Sequence, residues 1–242
     1  FYAALAKGLS PVGPVTNFQE YLENLWWRFD RALDPEAVQL AVLLSLLDCI
    51  KSGVTTIFDH HSSPSHVKGS LDNIAAVVER SGLRACLCYE ISDRNGRKTF
   101  HDSLQENLAF IESHRDQRRL QGNLGLHVNF TLSEKSMAEI AQYYDPEIGI
   151  NIHCAEDKID REYCRELGYD GPVSRLKHFG LLGKKSILAH GVHLDQAELT
   201  EVARSGSIIV HNPESNADNS VGRLNLPPAD DVSIGLGTDG MT

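Results

Sequence analysis

The segment NIHCAED, residues 151 to 157, closes an apolar run on His153 and places Glu156 three residues later. An imidazole and a carboxylate at that spacing can hold a divalent ion and move a proton beside it. The arrangement recurs along the chain. The ends of successive apolar runs give Asp59, His60 and His61, then Glu90, then His127 and Asn129, His153 and Glu156, His190 and His193, His211 and Asn212, and finally Thr238 and Asp239. A single histidine at a strand end is ordinarily a hydrogen-bonded or solvated residue. Scattered surface histidines, however, would not choose the same end of one run after another.

Nitrogen and oxygen donors together suit a borderline ion such as Zn2+. Catalytic zinc keeps one position open for water and lowers the pKa of that water to about 7. Glu156 is placed to take a proton from such a water and pass it to a leaving nitrogen. Its alternative role is a carboxylate that offsets a helix dipole. The motif GLGTDG brackets Asp239 with glycines, either to let the backbone pass close to a ligand or as a plain strand-to-turn signal. HNPESN, residues 211 to 216, holds Asn212 extended before Pro213 and offers side-chain amides, as turn chemistry or to a substrate.

Regular elements must position these residues, and the hydrophobic periodicity supplies them. Strand-like runs begin near residues 54, 84, 124, 149, 186, 207 and 232, and most are separated by amphipathic helical segments such as GSLDNIAAVVERSG and DQAELTEVARSG. Ahead of them, NFQEYLENLWWRFDRAL places Phe18, Leu22, Leu25 and Phe29 on one helical face, with Trp26 beside them. The next helix has Asp34 as its N-cap, Pro35 at its first position and Gly53 past its end. Strands alternating with helices imply right-handed βαβ units and a parallel sheet, either an open doubly wound sheet or a closed (β/α)8 barrel. The first strand is not followed by a GxGxxG phosphate loop, which moves the barrel ahead. Such a barrel gathers its strand ends on one face, where an active site is built. Seven strands do not close eight, and a strand preceding Phe1 would complete the count.

Composition narrows the partners. Hydrophobic content of 41% and charged content of 23% fit a globular domain large enough to bury a core. A formal net charge of -10 argues against nucleic acid or an anionic membrane as the main partner and favours a small molecule. The apolar stretch LAVLLSLL, residues 40 to 47, is far below the roughly 20 residues of a membrane span. Five cysteines without a CxxC pair read as reduced thiols, so the expected location is the cytoplasm.

NIHCAED, ILAHGVHLDQAEL, IIVHNPESNADNSVG and GLGTDG, in this order, resemble the amidohydrolase superfamily in its cytosine deaminase, guanine deaminase and chlorohydrolase branch. YLENLWWRFDRALD, GVTTIFDHHSSP, RACLCYEISDRNG and GLHVNFTLSE are similar to the SsnA type of aminohydrolase within it. The resemblance covers essentially the whole chain. It implies a (β/α)8 TIM barrel of metal-dependent hydrolase type that holds one divalent metal, zinc first and iron second. Carried over, His153 and Asp239 are metal ligands, Glu156 is the proton shuttle, and His190 polarises the substrate or steadies the attacking water, which Asp239 helps deprotonate. His127 touches substrate. His60 and His61 reach substrate, support other residues or are solvated. His193 is structural or stands behind the ligands.

The family's other two ligands form an HxH pair at the end of the first barrel strand, and this sequence contains no HxH. Residues 1–242 are therefore expected to be part of a single catalytic barrel carrying strands two to eight, without the flanking β-sandwich and with weak metal binding by itself. The implied reaction is deamination of a small heterocycle such as a purine or pyrimidine. Hydrolysis of an amide, cyclic ureide or C–Cl bond is the first alternative, and a metal-free scaffold the second. Barrels of this branch are often dimers or larger, so a homodimer belongs to the expectations.

Overall fold

The structure, a computed structural model, describes residues 1–225 and 232–240. The chain forms two compact units, one of Phe1–Glu90 and Asn95–Asn123 with Gly240, the other of Ile91–Arg94 and Leu124–Asp239.

In the first unit, short helices α1 (Phe18–Tyr21) and α2 (Trp27–Ala32) flank a π-helical turn over Leu22–Trp26, and α3 spans Pro35–Lys51. The π turn departs from the single regular helix expected. Its extra residue rotates α2 relative to α1, so Leu22 and Leu25 are buried while Phe18 and Phe29 are only half-buried. Helix α3 starts as its sequence predicts, with the Asp34 side chain accepting from the Ala37 N–H at 2.8 Å and Pro35 in the first turn. Strands β1 (Thr56–His61), β2 (Arg84–Tyr89) and β3 (Leu120–Gly122) form a parallel sheet in that order, with α4 (Ser70–Ser81) and α5 (Gly96–Ser113) between them. The apolar faces of α3, α4 and the strands bury Val42, Leu46, Leu71, Ile74, Val78 and Leu87 in one core. The three-residue β3 is too short to carry an alternation signal, and no strand is expected there from the sequence.

The second unit is a five-stranded parallel sheet of β4 (Leu124–Val128), β5 (Ile150–Cys154), β6 (Ile187–His190), β7 (Ile208–His211) and β8 (Ser233–Leu236), in that order. Helices α6 (Glu134–Ala141), α7 (Lys158–Glu166), α8 (Pro172–His178), α9 (Gln196–Ser205) and α10 (Pro213–Asp218) fill the crossovers. Strand order follows chain order in both sheets. Within neither sheet is there a switch point at which the strand order reverses. All five cysteines are free thiols. Among the described residues no helix is long and apolar enough to cross a membrane.

Candidate metal centre

Register lines up the ends of the strands in the second unit. His153 pairs with Ala189, and Cys154 with His190, while Val128 pairs with His153 after a shift that leaves His127 as the extra residue of a β-bulge. The bulge turns the His127 carbonyl toward β5, where it accepts the His153 Nδ1–H at 2.8 Å. That bond fixes the tautomer of His153 and reserves its Nε2 as a donor atom. The His127 ring packs edge-on to His153 at 5.6 Å, and its Nδ1 lies 3.0 Å from Thr131 Oγ1.

His190 is fully buried at the end of β6 and holds φ at 76°. Ala155, between His153 and Glu156, has φ 52°, and Asp239 has φ 57°. Left-handed backbone at three non-glycine residues costs energy at each, and it gathers where strand ends turn inward. The His190 ring stacks on His153 with centroids 5.5 Å apart. Its Nε2 is buried and makes no hydrogen bond, although Glu156 Oε2 stands 3.6 Å away and Asp239 Oδ2 3.8 Å. One donor atom each from His153, His190 and Asp239 lie within 4.8 Å of one another. A buried ring nitrogen without a partner, facing two carboxylates, is an arrangement a cation would satisfy, and the mixed nitrogen and oxygen set fits zinc or iron.

Glu156 lies beside this cluster, buried, with Oε1 accepting from Asn219 Nδ2 at 3.1 Å. Burial first, and the charge of Asp239 second, push its carboxyl up to about 8. It precedes α7, whose N-cap is Asp157, so the helix-dipole role falls to Asp157.

The strained turn that carries Glu156 is pinned from behind. Asp160 Oδ2 accepts the Ala155 N–H at 2.9 Å and Asn129 Nδ2 at 3.4 Å. Arg175, fully buried, donates to Glu134 Oε1 at 2.9 Å, the Asn129 carbonyl at 2.8 Å and the Leu132 carbonyl at 2.7 Å, clamping the turn that follows His127. His193 binds through its backbone, with N–H to the Ala155 carbonyl at 2.9 Å and carbonyl to Arg161 at 3.0 Å.

The remaining candidates separate. Asn212 is buried, and a Cβ at Gly237 would fall 2.3 Å from its Oδ1, so Gly237 serves close packing of β7 on β8 rather than approach of a ligand. His61 belongs to the core of the first unit. Its Nε2 is 2.9 Å from Ser63 Oγ, its ring packs edge-on against Tyr2 and Tyr89, and burial holds its pKa down to about 4. His60 is half-buried in the same strand. Sequence reasoning missed Ser215 and Asn219, which donate to Asp239 Oδ2 at 2.6 Å and to Glu156, and missed Asn216, which meets His190 Nδ1 at 2.7 Å. The signal available was Pro213 opening a helix directly after Asn212.

Parallel βαβ units carry this cluster at their strand ends, and the chain belongs to the amidohydrolase family, whose model matches residues 13–242. Among curated relatives it is 30% identical over 227 residues to the 5-methylthioadenosine/S-adenosylhomocysteine deaminase of Desulfitobacterium hafniense, covering 91% of this chain and 50% of that protein. The enzyme of the same name from Thermococcus kodakarensis is 31% identical over 241 residues, covering 98% and 54%. An adenosine deaminase from Xanthomonas campestris with bound zinc superposes with a TM-score of 0.84 at 22% identity, over 99% of this chain and 54% of that one. A guanine deaminase from C. acetobutylicum with bound guanine also gives 0.84, at 18% identity over 98% and 58%. The fold is thus that of the amidohydrolase (β/α)8 barrels, of which this chain supplies a part. The chain spans about half the length of the curated relatives it matches.

Proposed function

We propose that the protein carrying this chain is a metal-dependent aminohydrolase. It replaces the amino group on an sp2 carbon of a small heterocycle with oxygen from water and releases ammonia. The observation that carries the reading is the convergence of His153, His190 and Asp239 within 4.8 Å, with the buried carboxyl of Glu156 beside them. His153 and Asp239 would hold the ion, completed by an HxH pair from outside these residues. When bound, a divalent metal supplies Lewis acidity that makes water a nucleophile near neutral pH.

The residues of this chain divide the proton work. Asp239 and Glu156 accept the proton that water loses, and Glu156 returns it to the departing nitrogen. Its elevated pKa suits a group that must both take and give a proton near pH 7. His190 orients the attacked carbon's substituent, and the ring of His127 borders the substrate.

The names of the relatives favour an adenosine-type amino group on a thioether nucleoside. The test is ammonia release by the full polypeptide from a panel of 6-aminopurine nucleosides, guanine, cytosine and chlorotriazines. Release from an aminated member supports the reading. Chloride release alone would assign the protein to the chlorohydrolase alternative.

A further inference from the structure

Helix α10 and the residue after it present three polar side chains on one face, Ser215, Asn216 and Asn219, held by the Asn216 N–H to Asn212 carbonyl and Asn219 N–H to Ser215 carbonyl bonds at 2.9 Å each. Each reaches a different member of the cluster: Asp239, His190 and Glu156 respectively. Ser215 and Asn216 are buried, and polar groups are kept in such places only where their bonds are made.

Asn216 is the informative one because an amide has one accepting end and one donating end. Its Oδ1 is 2.7 Å from His190 Nδ1, which must therefore carry the hydrogen. Its Nδ2 is 3.2 Å from His211 Nδ1, which must then be bare. The reverse orientation would reverse both rings, placing the hydrogen on His190 Nε2 and on His211 Nδ1, where it could donate to the His190 carbonyl at 3.2 Å. One side chain thus couples the tautomers of two histidines. The 2.7 Å separation at His190 Nδ1 is ordinary for an N–H donating to oxygen and short for one donating to nitrogen, which selects the first orientation.

We propose that Asn216 is a positioning residue: its amide holds His190 in the Nδ1–H tautomer, with the Nε2 lone pair presented to the His153 and Asp239 cluster, and holds His211 in the Nε2–H tautomer. This rests on the aminohydrolase reading for its use, but its evidence is the geometry of the two rings.

The experiment is 15N NMR of the full polypeptide labelled at histidine, metal-free and loaded with Zn2+, with His190 and His211 assigned from His190→Asn and His211→Asn. The expected spectrum of the metal-free wild type shows a pyrrole-type Nδ1 and pyridine-type Nε2 for His190, and the opposite for His211. Asn216→Leu is expected to mix the His190 tautomers and to lower kcat for ammonia release about ten- to a hundredfold. Asn216→Asp, which keeps an acceptor at His190, is expected to hold kcat within about threefold of wild type, where a purely structural loss would not be rescued. A wild-type His190 that carries its hydrogen on Nε2 overturns the proposal whatever the variants do. An Asn216→Leu variant whose His190 and His211 tautomers are unchanged also overturns it. Failure of the full polypeptide to bind zinc or release ammonia would instead sink the functional reading, because the tautomers are read on the metal-free protein.

Discussion

Arg175 is the residue on which the second unit's support structure depends most. Its guanidinium is fully buried and satisfies three acceptors, of which two are the carbonyls of Asn129 and Leu132 and one is the carboxylate of Glu134. Arg175→Met fills much of the volume but leaves both carbonyls buried without donors. At about 1–3 kcal/mol for each stranded group, partly offset by relief of the guanidinium's own desolvation, the expected loss is about 3–5 kcal/mol. Glu134→Gln should behave differently, since the Glu134 side chain is 47% exposed and solvent already screens the pair. Its expected cost is below about 1 kcal/mol. Arg175→Lys, which lacks the planar fork, should fall between the two. Urea denaturation of the full polypeptide measures the ranking, and hydrogen exchange over residues 127–135 locates it, with fast exchange expected in the Met variant. Equal costs for Arg175→Met and Glu134→Gln would refute the reasoning, because the ion pair rather than the carbonyl clamp would then carry the stability.

Asp160 gives a pH signature. Burial raises its carboxyl from 3.8 to about 6, so the stability tied to its protonated form is complete below the unfolded value near 4 and lost as pH rises through about 6. Relative to wild type, Asp160→Asn should therefore gain stability between pH 4 and 6.5, by about 2–3 kcal/mol, and a pH-independent difference in urea midpoints would contradict this. Glu156→Gln keeps the oxygen that Asn219 bonds, so stability should change by less than about 0.5 kcal/mol while kcat falls by about 10^2 to 10^4, read as ammonia release. Gly149 has φ 77°, and a Cβ there would lie 2.2 Å from the Lys185 carbonyl oxygen. Gly149→Ala should cost about 2–4 kcal/mol by urea denaturation, and a neutral result would show that β5 shifts freely at its entry.

What the sequence disclosed was the set of residues that terminate apolar runs. His153 and His190 stand at the ends of β5 and β6 and Asp239 follows β8, and a parallel βαβ chain leaves such residues no choice but the same edge of the sheet. The supporting residues were hidden for a different reason. Arg175 and Asn129 are 46 residues apart, and nothing local in either segment announces their bond. Helix α10 is six residues long and polar, so it has no apolar period to detect, and yet it and the residue after it partner Asp239, His190 and Glu156. Helix α7 buries only Asp160 and Cys164 on its inner face, again too little for a periodic signal. His61 and His190 look alike in sequence, and only packing separates the one set edge-on between tyrosines from the one facing carboxylates. The His127 bulge is a matter of register between two strands, which spacing within one strand does not report.

The most direct test of the account is the metal content of the full polypeptide, measured by plasma mass spectrometry on the wild type and on His153→Ala combined with Asp239→Ala. The account predicts about one zinc or iron per chain in the wild type and little in the double variant. A wild type that purifies without metal and takes up none, or a double variant that retains its full complement, would contradict it.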